Sequence, residues 1–281
     1  MSEADKFRTL VSEKIKALDV KAEPTKKVEE LFLPRLKNHV KLRLYWPNDS
    51  KISHPVMYIH GAAFVAGSID THDNICRYIC NRSGRVVASV NYRLAPEHKF
   101  PAAFEDCLAA FDWLRGKGRK LNCDNTRVIL VGDSAGGALI ASLSNALRKA
   151  GRSKEIPLQI LINPTVDLRP GSAFYKTCKS YIEMYLTDVR QESLDEYVSP
   201  LLATDFRKLP PSLIVTSEKD EIKNDGERYF RALSNAGVEV AIFEIPNVGH
   251  LGAHWAAAHP LAEKAMNVTI GALQNIDHVT S

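Results

Sequence analysis

The stretch Gly132-Asp133-Ser134-Ala135-Gly136-Gly137 decides the fold class of this chain of 281 residues. It follows the apolar run Val128–Val131 and precedes a segment rich in Ala and Leu, so it joins a predicted strand to a predicted helix. Glycines around the serine permit a tight, strained turn whose backbone packs closely against its neighbours. The turn presents the Ser134 hydroxyl at the helix N-terminus, where backbone N–H groups can stabilise a developing oxyanion. In this context the G-x-S-x-G pattern predicts a nucleophilic serine.

Strands and helices alternate on both sides of this stretch. The runs that predict strands are Val56–Ile59, Val86–Val90, Val128–Val131, Leu158–Ile162, Leu213–Thr216 and Val238–Ile245. Helical patterns cover residues of about 74–82, 102–116, 135–150 and 225–236, and a last helix begins at Pro260. Most of the strand runs are apolar at successive positions, which is typical of central strands covered on both faces. The alternation predicts right-handed crossovers and a mostly parallel sheet flanked by helices.

Two segments interrupt the alternation. Residues 1 to about 36 have helical patterns without a strand partner. Residues from about 165 to 209 separate two predicted strands and are long for a plain crossover. A long insertion with tyrosines and leucines among charges is typical of a lid over a site. We therefore expect a single α/β domain over residues 1–281, with a small helical cap built from about 1–36 and about 165–209.

Composition argues against several classes of partner. The net charge is only +4, and the densest basic cluster, residues 115–120, lacks interleaved aromatics, which favours a solvated helix end over a nucleic-acid site. The sequence has no visible secretory signal and no apolar run long enough to predict a membrane partner. The five cysteines lack metal-ligand spacing, which favours reduced thiols and a cytoplasmic location. A homodimer is left open.

A serine becomes a strong nucleophile when a base takes its proton and an acid orients that base. Asp220 comes right after the strand Leu213–Thr216, at the edge of the sheet where catalytic groups gather. His250 follows the last predicted strand, which completes the order serine, acid, histidine. Glu218 and Asp225 are alternatives for the acid, although Asp225 is better explained as the cap of the helix that begins there.

A metal site near His250 is disfavoured. His250 and His254 are spaced like a helical metal-binding pair, and His259 lies in the same neighbourhood. There is no glutamate between the first two histidines and no third ligand close by, so the pattern lacks what a zinc hydrolase needs.

A second loop is placed to act beside Ser134. His60-Gly61-Ala62-Ala63-Phe64 comes immediately after the strand Val56–Ile59, upstream of the serine turn. A loop at that position can bring backbone N–H groups next to the serine and supply the rest of an oxyanion hole.

Together these motifs resemble the hormone-sensitive-lipase-like family of carboxylesterases and acetylesterases. The resemblance extends from about Val56 to His250. Besides the serine turn, it rests on the segments Phe64–Ser68, Thr71–Asp73 and Tyr92–Ala103. It implies an α/β-hydrolase fold with a small cap formed by the N-terminus and the late insertion.

The same resemblance implies a mechanism and a class of substrate. Ser134, Asp220 and His250 would form the catalytic triad, and the backbone N–H groups of Ala62, Ala63 and Ala135 would form the oxyanion hole. The substrate would be a small-molecule ester with a short acyl chain, and the reaction would need no cofactor and no metal. An amidase, lactonase or deacetylase on the same scaffold is the first alternative. A non-catalytic receptor of the same fold is the second, and the intact triad argues against it.

The sequence departs from the family pattern in two places. The family usually has three glycines after the histidine of the first loop, where this chain has Gly61, Ala62 and Ala63. Because alanine avoids positive φ, we expect an ordinary backbone geometry in this loop. The acid motif usually runs Asp-Pro-Leu-Arg-Asp, and here only the leading Asp220 of the stretch Asp220–Asn224 is kept.

Overall fold

The computed structural model describes residues 1–33, 40–49, 52–117 and 121–279. Within these residues eight strands form one sheet in the order β1-β2-β4-β3-β5-β6-β7-β8. The strands are β1 (Lys27–Leu33), β2 (Val40–Trp46), β3 (Val56–Ile59), β4 (Val87–Asn91), β5 (Ile129–Asp133), β6 (Gln159–Ile162), β7 (Ser212–Ser217) and β8 (Val240–Ile245). The helices are α1 (Glu3–Ala17), α2 (Asp73–Ser83), α3 (Ala102–Lys117), α4 (Ala135–Lys149), α5 (Ala173–Tyr185), α6 (Val189–Glu192), α7 (Lys223–Asn235), α8 (Gly252–Ala256) and α9 (Glu263–Val279).

The sheet is mostly parallel, as the alternation of strands and helices predicts. Strands β3 to β8 pair in parallel, whereas β2 runs antiparallel to both β1 and β4. Side chains of β3 alternate between two cores, with Met57 and Ile59 in one and Val56 and Tyr58 in the other. Because helices cover both faces, every residue of β3, β5, β6 and β7 is buried. This burial explains why these strands are apolar at successive positions.

The prediction that residues 1 to about 36 are helical is wrong for Lys27–Leu33, which form β1. Val28, Leu31 and Phe32 have helix-like spacing, but the segment pairs antiparallel with β2 along its whole length. Backbone pairing to an edge therefore overrides the side-chain period. Strand β2 was not predicted, although its residues alternate between apolar and polar in the period of a half-buried strand. Residues 34–36 of the predicted cap lie outside the described residues.

Helices from the two predicted cap segments pack against each other. α1 belongs to the N-terminal segment, and α5 and α6 belong to the insertion between β6 and β7. The ring of Phe7 on α1 stacks on that of Tyr181 on α5, with ring centroids 4.0 Å apart. The two segments therefore meet, although they are far apart in the chain.

The basic cluster, the cysteines and the longest helices bear on the predictions made from composition. Helix α3 ends within the basic cluster, of which residues 118–120 lie outside the described residues. None of the five cysteines, all of which lie in the described ranges, forms a disulfide. No helix among the residues described above is long and apolar enough to cross a membrane.

Candidate active site

Ser134 occupies a strained turn between β5 and α4, as the sequence predicts. Its backbone has φ 50° and ψ −118°, a conformation that costs roughly 1–3 kcal/mol. The strain is offset by close packing, because the Ser134 N–H donates to the carbonyl oxygen of Ile162 at 2.8 Å. A Cβ at Gly136 would overlap the carbonyl oxygens of Ile59 and His60 at the end of β3. The glycine therefore lets α4 approach β3 and holds the turn in place.

Asp220 and His250 form a hydrogen-bonded pair beside this turn. His250 Nδ1 lies 2.9 Å from Asp220 Oδ2. The Asp220 side chain is only 2% exposed, and it also accepts from Asn163 Nδ2 at 2.8 Å and from the Ile222 N–H at 3.1 Å. These donors compensate the buried carboxylate and fix its direction. When Nδ1 carries the proton that Asp220 accepts, Nε2 is left free to act as a base.

Ser134, Asp220 and His250 all line one cavity of about 550 Å³. No hydrogen bond joins the Ser134 hydroxyl to His250 in the described part of the chain. The other walls are largely apolar and come from helices α1 and α5 and from the loops after β7 and β8. They include Phe7, Val11, Ile15, Phe174, Ile222 and Leu251.

The prediction of an ordinary backbone geometry at Ala62 and Ala63 is wrong. We name residues 60–66 the β3 loop. Within it, Ala62, Ala63 and Phe64 have φ angles of 81°, 54° and 63°. The turn is closed by hydrogen bonds from the N–H groups of Val65 and Ala66 to the Ala62 carbonyl, at 3.2 and 3.0 Å. These bonds and the burial of Phe64, whose ring stacks on Tyr185, compensate the strain that each left-handed alanine carries.

Gly61 brings the β3 loop against the serine turn. Its N–H donates to Asp133 Oδ1 at 3.2 Å. A Cβ at this position would overlap the Asp133 carboxylate and lie 3.1 Å from Ser134 Cβ. Only glycine permits this approach, so the one glycine kept from the family pattern stands where the two loops touch.

Three backbone donors near Ser134 have no hydrogen-bond partner in the part of the chain that the structure describes. The N–H groups of Ala62, Ala63 and Ala135 make no hydrogen bond with any described residue. Ala62 and Ala63 line the cavity that contains Ser134, and Ala135 is the first residue of α4. The first N–H groups of a helix have no partner within that helix, which makes them available to an anion.

Sequence reasoning missed the role of Asp133, the residue between the glycine and the serine. Its Oδ1 accepts from the Tyr58 hydroxyl at 2.6 Å, and it lies 3.6 Å from His72 Nε2. Burial alone would raise the pKa of Asp133, but the charge of His72 and hydrogen bonds from His72 and Tyr58 lower it overall. Asp133 thus remains ionised and holds Gly61. The available signal was a carboxylate at the end of an apolar strand, which must be buried with partners.

A histidine in the β3 loop is held neutral. Burial in the first place, and the nearby charge of His72 in the second, lower the pKa of His60 to about 3. Its ring stacks on Tyr92, with centroids 4.2 Å apart, and its Nδ1 lies 2.9 Å from the Gly61 carbonyl. His60 therefore supports the loop by packing and does not compete with His250 as a base.

The two alternatives for the acid lie elsewhere. Glu218 Oε2 accepts from the Asn247 N–H at 2.6 Å. Asp225 lies inside the first turn of α7 and accepts from the N–H groups of Val166 and Asp167 at 3.1 and 3.2 Å. The expectation that Asp225 caps α7 is wrong, because its carboxylate is used to hold the start of the insertion. Burial raises its pKa to about 7, and the charge of Asp167 acts in the same direction.

The neighbouring histidines show no metal-binding arrangement. The rings of His254 and His259 meet edge to face, with centroids 5.2 Å apart. Across the described ranges, no group of three or more His, Cys, Asp or Glu side chains is arranged to hold a metal ion.

Comparison with known proteins places this geometry in a family. The alpha/beta hydrolase fold family matches residues 56–254. An ethyl acetate hydrolase of Pseudomonas putida is 32% identical over 287 residues, covering 97% of this chain and 90% of the relative. Esterase LipI of Mycobacterium tuberculosis is 32% identical over 269 residues, covering 91% of this chain and 84% of the relative.

The solved structures agree with the sequence relatives. The esterase of Pyrobaculum calidifontis superposes with a TM-score of 0.90 at 32% identity, and the match covers 98% of this chain and 94% of that one. The resemblance to the hormone-sensitive-lipase-like family is thereby confirmed. The chain belongs to the alpha/beta hydrolase fold family.

Proposed function

We propose that this protein is a serine carboxylesterase that hydrolyses short-chain acyl esters through an acyl-enzyme on Ser134. One observation carries the proposal. The cavity that contains Ser134 is also lined by the hydrogen-bonded pair of Asp220 and His250. It is lined as well by Ala62 and Ala63, whose N–H groups have no partner among the described residues. A base, a nucleophile and oxyanion donors are the three components that acyl transfer requires.

The first half-reaction forms the acyl-enzyme. His250 Nε2 takes the proton of Ser134 as Oγ bonds to the ester carbonyl carbon, and the carbonyl electron pair moves onto its oxygen. The N–H groups of Ala62, Ala63 and Ala135 stabilise that oxyanion, and Asp220 stabilises the imidazolium. When the intermediate collapses, the bond to the alcohol breaks and His250 donates its proton to the departing oxygen.

The second half-reaction repeats the same steps with water. His250 accepts a proton from the water as it attacks the acyl carbon, and the same three N–H groups stabilise the second oxyanion. Collapse returns the proton to Ser134 and releases the carboxylic acid. No step requires a metal or an organic cofactor.

The proposed substrates are small esters, on two grounds. Two relatives covering most of the chain are an ethyl acetate hydrolase and an esterase. The apolar side chains of Phe7, Val11 and Phe174 bound the cavity on the cap side, which suits a short acyl chain better than a long one. The proposal includes a cytoplasmic location without membrane or nucleic-acid partners. The location is supported by five cysteines that form no disulfide among the described residues. It holds equally for a monomer and a homodimer.

Initial rates on para-nitrophenyl esters from acetyl to palmitoyl test the proposal. We expect the highest kcat/KM for acyl groups of about two to six carbons, and at least a ~10-fold fall at palmitoyl because the apolar cavity is small. Butyryl para-nitroanilide, run in parallel, tests the amidase alternative. Faster cleavage of the anilide than of the ester would overturn the assignment as an esterase, and faster cleavage of palmitoyl than of butyryl would overturn the acyl preference.

A further inference from the structure

The cap helix α1 is tied to the β3 loop by one side chain, Arg8. The Arg8 guanidinium donates through Nε to the carbonyl oxygen of Val65 at 2.9 Å. Through Nη2 it donates to the carbonyl oxygen of Ala95, also at 2.9 Å. Val65 belongs to the β3 loop, and Ala95 belongs to the loop after β4. Arg8 therefore makes hydrogen bonds from α1 to both loops at once.

The two acceptor loops are themselves joined. The Ala95 N–H donates to the Phe64 carbonyl at 3.0 Å. Val65 and Ala95 are both completely buried, so their carbonyl groups need a donor from the protein. Arg8 donates to both carbonyl groups, and its removal would leave the buried carbonyl oxygens of Val65 and Ala95 without this hydrogen bond.

The bond to Val65 leads directly to an oxyanion donor. The Val65 N–H donates to the carbonyl oxygen of Ala62 at 3.2 Å. That carbonyl shares one rigid peptide plane with the N–H group of Ala63, which points in the opposite direction. Fixing Val65 therefore fixes the direction of the Ala63 N–H. The Ala62–Ala63 peptide has left-handed residues on both sides, so it depends on such support.

Glu97 orients the guanidinium. Its two carboxylate oxygens accept from Arg8 Nη1 and Nη2 at 2.9 and 2.6 Å, a two-point arrangement that fixes the guanidinium plane. The hydrogen bond from Arg8 lowers the pKa of Glu97 to about 2, so the pair keeps its charges at any pH of interest. With the plane fixed, the remaining N–H groups of Arg8 point at the two carbonyls.

The rest of α1 serves a different purpose. Phe7, Val11 and Ile15 lie on the face that lines the cavity, and Phe7 also packs on Tyr181 of α5. These side chains form a wall, and they make no hydrogen bond to the β3 loop. On α1, the residues that line the cavity therefore differ from Arg8, which bonds the loops, and substitutions can test the two roles separately.

We propose that Arg8 is a positioning residue for the oxyanion hole: by clamping Val65 and Ala95 it keeps the β3 loop in its left-handed form while the cap is docked. This inference rests on the proposed function. It predicts that the cap governs the rate of the chemical steps as well as the size of the cavity, because a loop that relaxes turns its N–H groups away from the developing oxyanion.

The test measures kcat and KM on para-nitrophenyl acetate, whose acyl group is too short to depend on the wall. Arg8→Gln is expected to lower kcat by about 10-fold with little change in KM, since loosening the loop costs less than the ~10²–10³-fold of a lost donor. Arg8→Lys keeps the charge but cannot donate to both carbonyl groups at once, so its kcat is expected to lie between those of wild type and Arg8→Gln.

Two further variants provide the controls. Phe7→Ala removes part of the wall and is expected to raise KM for para-nitrophenyl hexanoate more than it lowers kcat for the acetate. Arg207→Gln is the matched arginine control, because exposed Arg207 bonds the Asp205 carboxylate and no carbonyl of the β3 loop. It is expected to leave both constants unchanged.

The outcomes separate this inference from the proposed function. If Arg8→Gln keeps its kcat on the acetate and only raises KM on longer esters, α1 is a wall and the inference is wrong. If that variant does not fold by circular dichroism, Glu97→Gln replaces it, with an expected two- to four-fold loss of kcat, and an unchanged kcat there contradicts the inference equally. Activity retained in Ser134→Ala would instead overturn the proposed function, whatever Arg8 does.

Discussion

The two halves of the candidate site are built on different principles. In the proposed mechanism, Asp220 and His250 act through side chains that follow β7 and β8, and neither has a left-handed backbone. The β3 loop would act through backbone N–H groups, and Ala62, Ala63 and Phe64 are all left-handed. Side-chain chemistry demands particular residue types, whereas backbone chemistry demands a particular conformation. The first half is therefore visible in a sequence, and the second depends on the packing that holds it.

The largest effect should come from the half that depends on residue type. Ser134→Ala is expected to lower kcat by ~10⁴-fold or more, because the triad acts as a unit and no other group replaces the nucleophile. Any β3 loop variant should cost much less. The protein should stay folded, since alanine has no greater difficulty than serine at φ 50°, which thermal unfolding can check. If Ser134→Ala kept a tenth of the wild-type rate, the claim that the side-chain half of the site has the larger effect would be wrong.

Two buried aspartates near the start of α7 sharpen the comparison. Asp220→Asn removes the charge that orients His250, and we expect a loss of roughly 10²–10⁴-fold in kcat on a short ester. Asp225→Asn is the matched control, since among the described residues the Asp225 carboxylate accepts from backbone N–H groups of the insertion. It should retain nearly full kcat. Equal losses in the two variants would mean that the Asp220 side chain acts by packing alone.

Asp225 also predicts a pH dependence of stability. Burial raises its pKa to about 7 from an ordinary value of 3.8, with the charge of Asp167 as a second cause. Between these two values the folded protein binds more protons than the unfolded chain, so this group makes the free energy of unfolding fall as the pH rises. The free energy of unfolding of Asp225→Asn minus that of wild type should therefore be about 1–3 kcal/mol larger at pH 8 than at pH 5. Urea titrations at both pH values measure the difference, and a gap that does not change with pH would refute the raised pKa.

The smallest effect is expected in the β3 loop. Ala62→Gly removes a methyl group from the cavity wall next to Ser134 and allows the left-handed backbone without strain. The ratio of kcat/KM for a tertiary-alcohol acetate to that for a primary one should rise by about 10-fold, which is the low end of the effect of one carbon group in a pocket. The kcat on the primary ester should fall, by less than the ~10²-fold of a lost donor. If the ratio does not move, the alanine methyl groups are not what restricts the alcohol side.

The parallel part of the fold could be predicted from the sequence because its strands have an unusual composition. A strand covered on both faces, such as Val56–Ile59, must be apolar at successive positions, and that pattern is rare elsewhere. β1 could not be predicted in the same way, because it is an edge strand with a partly exposed face and Glu29 and Glu30 in its centre. Its position is decided by backbone pairing with β2, which leaves only a weak trace in the residues.

The site divides along the same line. The spacing of Ser134, Asp220 and His250 predicted residues that the structure brings into one cavity. The prediction of the β3 loop geometry is wrong, because the contacts that enforce positive φ at Ala62 and Ala63 outweigh the preference of alanine for negative φ. The hydrogen bonds that override this preference come from Val65, Ala66 and, through Asp133, from another strand. A local preference of roughly 1–3 kcal/mol cannot predict a conformation that several distant contacts enforce.

The glycine at position 136 has a consequence for how related sequences are interpreted. It is required because the carbonyl oxygens of Ile59 and His60 leave no room for a side chain, and this constraint has nothing to do with the hydroxyl of Ser134. A descendant that lost its nucleophile would remain under the same steric requirement for as long as it kept the contact between α4 and β3. The glycines of the pattern therefore record the inheritance of a packing arrangement. Whether a given descendant is still an enzyme has to be judged from the groups that move protons and electrons.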